Sequence, residues 1–170
     1  SYGTAFRSPS FLDLYGTSTF YVGNPGLRPE RAKGLDAGFD VYLQDPDLVL
    51  GVTWFDTRFK DLIVSDFSRN PSSVANVGRA VTRGAEVSLT WMLRTATQVR
   101  LNYTYLEAEN SLTGTRLLRR PRHSGSFDVG QTFRRGFSAG GGVRWVAQRE
   151  DIHARTFASI DGEDYSVARV

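Results

Sequence analysis

The two histidines are the residues of this chain that could carry acid–base chemistry. His123 is followed by Ser124 and Asp128, so the residue types of a serine hydrolase occur close together. In an extended strand, Ser124 and Asp128 share one face and His123 points to the other. No nucleophile elbow surrounds the serine. We therefore expect no catalytic residues and predict that the protein is not an enzyme.

Metal binding is the second chemistry that the residue types allow. His153 lies close to Glu150, Asp151 and Asp161, and these side chains are common metal ligands. The same residues also fit a solvated acidic loop. We favour the loop, and predict neither a metal site nor a cofactor.

The composition excludes several classes of protein. The chain has 170 residues, no cysteine and a net charge of +3, which excludes disulfide or thiol chemistry. Its basic residues are scattered, unlike a nucleic-acid patch. No run approaches the roughly 20 apolar residues of a spanning helix. A mean hydropathy of −0.32 still permits a membrane barrel, in which lipid-facing and lumen-facing residues alternate.

The positions of the functional residues depend on about eight predicted strands. Apolar and polar residues alternate in segments 35–44, 85–93, 97–107, 123–133 and 137–148, with a longer strand over 48–67. A helical pattern occupies 9–15, and 149–162 reads as a polar loop. Tyr21–Lys33 contains the turn signal Asn24-Pro25-Gly26, which predicts an ordered loop before a strand that begins near Lys33. Trp54, Trp91 and Trp145 each lie in an apolar stripe, which predicts contact with lipid or its interfaces.

The lengths of the connections distinguish two fold classes. Short connections at 45–47, 94–96 and 134–136 alternate with long ones at 7–33, 109–121 and 149–162, and the 59–80 hairpin extends beyond the shared strands. Outer-membrane barrels have short turns at one end and long external loops at the other. A soluble sandwich also gives alternating faces but does not require this asymmetry. We therefore predict an all-β transmembrane antiparallel barrel.

Four segments resemble those of the TonB-dependent outer-membrane receptors. They are G-x-A-F-R-x-P at Gly3–Pro9 with Leu12, Leu14 and Tyr15; N-P-x-L-x-P-E at Asn24–Glu30; N-x-G…G-x-E at Asn76, Gly78, Gly84 and Glu86; and L-x-R-x-P at residues 117–121. Asp36 and Ala32 stand where the family usually has Glu and often has Ser. The resemblance implies a barrel of about 22 strands plugged by a separate domain. Residues 1–170 would then form a barrel segment without the plug, the TonB box or the closing strands.

The resemblance also implies a location, a function and partners. It implies active uptake of a scarce nutrient across the outer membrane, driven by the TonB complex through the absent plug. The spacing from Asn76 to Glu86 and the segment 115–120 are most similar to vitamin B12 receptors, so cobalamin or an iron siderophore is the expected ligand. Other expected partners are the lipid bilayer and lipopolysaccharide, and no nucleic acid is expected.

Arg119 is the ligand-binding residue that this resemblance predicts, with contact to lipopolysaccharide or a neighbouring loop as the alternative. Consecutive strand residues face opposite ways, so only one of Arg119 and Arg120 is expected to face the lumen. Glu30, Arg83 and Glu86 are expected to form lumen-facing ion pairs, with ligand or plug contact as the alternative.

Two other classes of function remain alternatives at the level of sequence. One is an outer-membrane barrel enzyme of the phospholipase or protease type. The other is a soluble β-sandwich binding module.

Overall fold

A computed structural model describes residues 1–44, 47–93, 96–134, 136–152 and 159–169. Within these ranges, no helix is both long and apolar enough to cross a bilayer. The elements are β1 (Tyr2–Arg7), α1 (Phe11–Tyr15), β2 (Glu30–Gln44), β3 (Asp47–Asp66), β4 (Ser73–Leu93), β5 (Thr97–Asn110), β6 (His123–Thr132), β7 (Ser138–Ala147), β8 (Arg149–Ile152), β9 (Ser159–Gly162) and β10 (Tyr165–Arg169).

Eight of the strands form one antiparallel sheet in the order β1-β2-β3-β4-β5-β6-β7-β10. The predicted strand count, the long β3–β4 hairpin and the helical turn at α1 are confirmed. The prediction of a plain polar loop at 149–162 is wrong, because β8 and β9 pair there as a separate hairpin. β2 begins three residues before the predicted Lys33, because Glu30 already pairs with Arg7 of β1.

Short connections all lie at one end of the main sheet. β2–β3, β4–β5 and β6–β7 are joined through 45–46, 94–96 and 133–137, whereas the other connections span 8–29, 67–72, 111–122 and 148–164. We call these the short-turn end and the long-loop end. The predicted alternation of connection lengths is therefore confirmed.

The register separates the sheet into an apolar face and a polar face. Residues directly opposite in an antiparallel pair project to the same side. One row of the apolar face contains Trp54, Ala85, Tyr105 and His123, and other rows of this face carry Trp91 and Trp145. The three tryptophans thus share one face, as predicted. On the polar face, a typical row contains Thr53, Glu86, Thr104 and Ser124.

The main sheet has almost no core of its own. Among the described residues, the buried apolar side chains are Leu27, Val74, Ala80 and Ala108. Phe39 on the apolar face is 62% exposed. A sandwich needs a second sheet across this face, and the only other sheet in the described part of the chain is the β8–β9 hairpin. The soluble sandwich interpretation is therefore wrong, because no described part of the chain forms a second layer over the apolar face.

Two glycines leave room for aromatic rings of the neighbouring strands. A Cβ at Gly84 would lie 2.8 Å from Cζ of Phe55 and would overlap the carbonyl oxygen of Tyr105. On the apolar face, a Cβ at Gly125 would overlap the indole ring of Trp145. The glycine of the G-x-E segment is therefore explained by close packing between neighbouring strands.

We expect Gly84→Ala to destabilise the sheet, whereas Gly130→Ala should not. The added methyl group at Gly84 meets backbone as well as Phe55, and such overpacking costs about 1–3 kcal/mol. A Cβ at Gly130, inside β6, has no atom within 4 Å. Urea unfolding of the full-length receptor in detergent measures both variants. Equal midpoints for the two alanine variants would contradict the packing argument.

Candidate functional site

Backbone hydrogen bonds hold the loop between β1 and β2 against β4. Val22 N donates to the Ser72 carbonyl at 2.9 Å, and Ser72 N donates to the Phe20 carbonyl at 3.0 Å. The Ser73 hydroxyl donates to the Val22 carbonyl at 2.7 Å. These bonds form a parallel bridge between Tyr21 and Ser72. The loop therefore extends the sheet at a level that β5 does not reach.

Two asparagines then fix the direction of the loop. Oδ1 of Asn76 accepts from Arg28 N at 2.8 Å, and its Nδ2 donates to the Arg28 carbonyl at 3.0 Å and to the Asp61 carbonyl at 2.6 Å. Nδ2 of Asn24 donates to the Val74 carbonyl at 3.0 Å. The Asn76 amide thus supplies both the donor and the acceptor that a neighbouring strand would offer.

Glu30 closes this loop onto the β3–β4 hairpin. Its carboxylate accepts two hydrogen bonds from Arg7, at 2.7 and 2.9 Å, and one from Ile63 N at 2.7 Å. Beside it, Arg28 pairs at 2.8 Å with Asp61, which has a φ of 58°. Asp61 is the site residue that sequence reasoning missed, since no local pattern marks it. These residues are joined to one another and support the loop.

The predicted ion pairs are only partly correct. Glu30 pairs with an arginine, as expected, but the partner is Arg7. Arg83 pairs with Glu107 at 2.9 Å, and both lie on the apolar face, so the prediction that Arg83 faces the lumen is wrong. The reason is side-chain alternation along β4. Arg83 directly precedes Gly84, which lies on the polar face, so Arg83 lies on the apolar face. Glu86 lies on the polar face, as predicted.

Two carboxylates at the long-loop end are stabilised in their ionised form. The pKa of Asp13 is lowered, mainly because Ser10 N donates to it at 2.9 Å in the capping box of α1. The pKa of Asp66 is lowered mainly by the Ser68 hydroxyl, which donates at 2.5 Å. Arg69 adds an ion pair to Asp66 at 3.2 Å. Both acids therefore add fixed negative charge to this end of the protein.

A cavity of about 410 Å³ lies at the long-loop end, between the upper part of β3 and the β5–β6 loop. One wall is apolar and contains Leu62, Val64 and Phe67. The other wall is formed by the loop and includes Arg116, Arg119 and Arg120. An apolar wall opposite several cations suits a small ligand with anionic or carbonyl oxygens.

Acidic residues of β8 hold two of these arginines. Nε of Arg119 donates to Asp151 at 3.0 Å, and its guanidinium lies 5.8 Å from the centre of the Phe67 ring. Arg116 pairs with Glu150 at 3.2 Å. The β8–β9 hairpin thus orients the wall of the cavity, which the acidic composition of 149–162 could have suggested.

The expectation that Arg119 and Arg120 face opposite ways is wrong. Both line the same cavity, because they lie in a turn, where strand alternation does not apply. Arg119 has a φ of 59°, and strand β6 begins only at His123. Arg120 is exposed, and no described residue forms an ion pair or a hydrogen bond with its side chain.

The geometry around His123 does not support acid–base catalysis with Ser124 and Asp128. Nδ1 of His123 is hydrogen-bonded to the Tyr103 hydroxyl at 2.7 Å, and its ring packs on Tyr105. Ser124 and Asp128 lie on the opposite face, as predicted. Asp128 is paired with Arg169. His123 is therefore part of an aromatic cluster on the apolar face.

The described residues of the alternative metal site form other contacts. Glu150 and Asp151 bind arginines, and Asp161 lies opposite Glu150 in the β8–β9 pair. His153 lies outside the described residues. Within the described ranges, no group of three or more potential ligands is placed to hold an ion.

The chain belongs to the family described as TonB dependent receptor-like, beta-barrel, which matches residues 1–167. This family and its structural neighbours are outer-membrane proteins, so the chain is an outer-membrane barrel segment. They are receptors and transporters, which agrees with the prediction that the protein is not an enzyme.

Solved structures show the same fold. The copper transporter OprC matches with a TM-score of 0.76 and 20% identity over 98% of this chain and 26% of its own. The ferric enterobactin receptor PfeA of Pseudomonas aeruginosa matches at 0.72 and 21% over 98% and 29%. The siderophore receptor PirA of Acinetobacter baumannii matches at 0.72 and 16% over 98% and 31%. The chain thus spans between a quarter and a third of these proteins.

We expect Asn76→Asp to release the loop while the sheet stays folded. A carboxylate keeps the bond from Arg28 N but places an oxygen against two carbonyl oxygens, and an unsatisfied group costs about 1–3 kcal/mol. Hydrogen exchange in the full-length receptor should accelerate at residues 17–29 and stay slow in β4.

The matched control is Asn102→Asp, which removes a single exposed bond to Ser126 at 3.3 Å. Its exchange pattern should equal that of the wild type. Unchanged exchange at residues 17–29 in Asn76→Asp would show that the loop is held by other contacts.

Proposed function

We propose that the receptor containing this chain takes up a scarce nutrient across the outer membrane, with an iron siderophore or cobalamin as the ligand. Family membership supports uptake as the general function. The single observation that carries the binding role is the cavity at the long-loop end, where arginines face an apolar wall.

The names of the similar structures support nutrients of this class. They include a copper transporter, a ferric enterobactin receptor and a receptor bound to ferripyoverdine. Cobalamin is supported only by the resemblance of segment 115–120 and of the spacing between Asn76 and Glu86 to vitamin B12 receptors such as BtuB. Both ligands carry oxygen acceptors that arginine can bind.

Further partners complete the proposal. Residues 1–170 would be one segment of the barrel wall, with a separate plug domain inside the lumen and the TonB complex acting through that plug. The polar face would line the lumen. Lipid and lipopolysaccharide would contact the apolar face.

Uptake by the full-length receptor distinguishes the two ligands. Cells that express it as their only TonB-dependent receptor are supplied with radiolabelled ferric siderophores or cobalamin, with and without a functional TonB complex. TonB-dependent accumulation of either compound supports the proposal and selects the ligand. Accumulation that does not require TonB would contradict it.

Arg119 is the residue that we propose to contact the ligand. A charge-assisted hydrogen bond is worth roughly 1.5–3 kcal/mol, so Arg119→Ala should weaken binding about ten- to a hundredfold. Arg120→Ala should also weaken binding, because Arg120 lines the same cavity. Equilibrium binding to receptors of matched abundance measures the effect.

Two further variants separate ligand contact from support of the loop. Asp151→Asn weakens the ion pair of Arg119 while keeping its guanidinium, so binding should be retained if Arg119 touches the ligand. Arg83→Ala removes a similar ion pair on the apolar face and should leave affinity unchanged. A loss in Asp151→Asn equal to that in Arg119→Ala would assign Arg119 to the positioning of the loop.

A further inference from the structure

Three cations lie side by side on the apolar face at the long-loop end. Arg31 of β2 is directly opposite Lys60 of β3, and Lys60 is directly opposite Arg79 of β4. All three are exposed. Lys33 follows Arg31 on the same face of β2. We call Arg31, Lys60 and Arg79 the basic row. The two lysines of the chain, Lys33 and Lys60, both lie in or beside it.

Within the described residues, the side chains of the basic row form no ion pair. No described residue forms an ion pair or a side-chain hydrogen bond with Arg31, Lys33, Lys60 or Arg79. Like charges directly opposite in a sheet are destabilising. The neighbouring cations on this face differ, because Arg58 pairs with Asp56 at 3.1 Å and Arg83 with Glu107 at 2.9 Å. A row left unpaired beside paired arginines favours an anion from outside the protein.

Position on the barrel limits what that anion can be. The basic row continues the face that carries Leu35, Trp54 and Phe39, on the side of the long loops. Lys60 lies six positions along β3 from Trp54, which is roughly 20 Å. In an outer-membrane barrel, the long loops are external. The row therefore lies just beyond the lipid-facing band, at the level of the outer headgroups.

A groove beside the row has both chemical characters of a lipid headgroup region. It has a volume of about 290 Å³ and is lined by Lys33 and the Arg58–Asp56 ion pair, together with the apolar side chains of Tyr2, Leu35 and Trp54. Cations at one end and apolar surface at the other match a phosphate joined to acyl chains. A soluble anion would use only the charged end.

We propose that the basic row and Lys33 bind the phosphate groups of an outer-leaflet glycolipid, the lipopolysaccharide of the outer membrane. Lysine offers a compact charge and arginine a planar fork, and both are established phosphate ligands. The site rests on the proposed contact between lipopolysaccharide and the apolar face, and it does not depend on which nutrient is transported.

The test compares two forms of lipid A on the full-length receptor in zwitterionic detergent. Native mass spectrometry with bisphosphorylated and dephosphorylated lipid A gives the affinity for each. The wild type should bind the phosphorylated form more tightly. The triple variant Arg31→Gln, Lys60→Gln and Arg79→Gln should lose about a hundredfold for that form and little for the other.

A second triple variant controls for the loss of charge. Arg69→Gln, Arg83→Gln and Arg169→Gln removes the same number of cations, each of which already has a carboxylate partner. It should retain most of the affinity for phosphorylated lipid A. Equal losses in the two triple variants would overturn the assignment to the basic row.

Thermal unfolding without lipid A checks the fold of the variant. Removal of three mutually repelling charges should leave the midpoint unchanged or raise it, whereas added phosphorylated lipid A should stabilise only the wild type strongly. Equal wild-type affinity for the two forms of lipid A would overturn the proposal. Equal stabilisation of the wild type and of the triple variant of the basic row by phosphorylated lipid A would also overturn it. If the true partner of the basic row is an acidic protein, the wild type should bind the two forms of lipid A with equal affinity.

Discussion

The side-chain amide of Asn76 joins the β1–β2 loop to the β3–β4 hairpin at the long-loop end. The β3–β4 hairpin rises above its neighbours, and its upper residues have no full strand beside them. Asn76 bonds to both backbone groups of Arg28 and to the carbonyl of Asp61. With Glu30 on Ile63 N, it replaces the missing ladder. The loop that crosses the hairpin is thereby fixed, and the direction of β2 follows from it.

The two faces of the main sheet differ in composition, because one is apolar and the other is polar. The apolar face carries exposed aromatic side chains, which we propose to meet lipid, and at the long-loop end it carries ion pairs and the basic row. The polar face carries Glu86, Arg144 and small hydroxyl residues. The arginine cavity lies above both, among the loops. The proposed ligand contact thus lies among the loops, whereas the proposed lipid contact lies along the strands.

Most of the fold could be predicted from short segments of the sequence. The alternation in 35–44 and 97–107, the turn at Asn24-Pro25-Gly26 and the asymmetry of the connections are properties of short segments, and the structure contains each of them. Strand ends were less well predicted, since Glu30 joins β2 through its pairing with Arg7. The β8–β9 hairpin was missed because its strands have four residues each, too few to show a period.

The sequence by itself determined the class of fold, the alternation of apolar and polar faces along the strands, and the ends at which long and short connections meet, because side-chain alternation has a period of two residues. Tertiary structure decided which residues meet across strands and loops. Arg83 pairs with Glu107, Arg119 with Asp151, and Arg31 lies beside Lys60 and Arg79. These pairings depend on register and on the path of irregular loops. A turn at Arg119, with its positive φ, follows no strand period and emerges only in the folded chain.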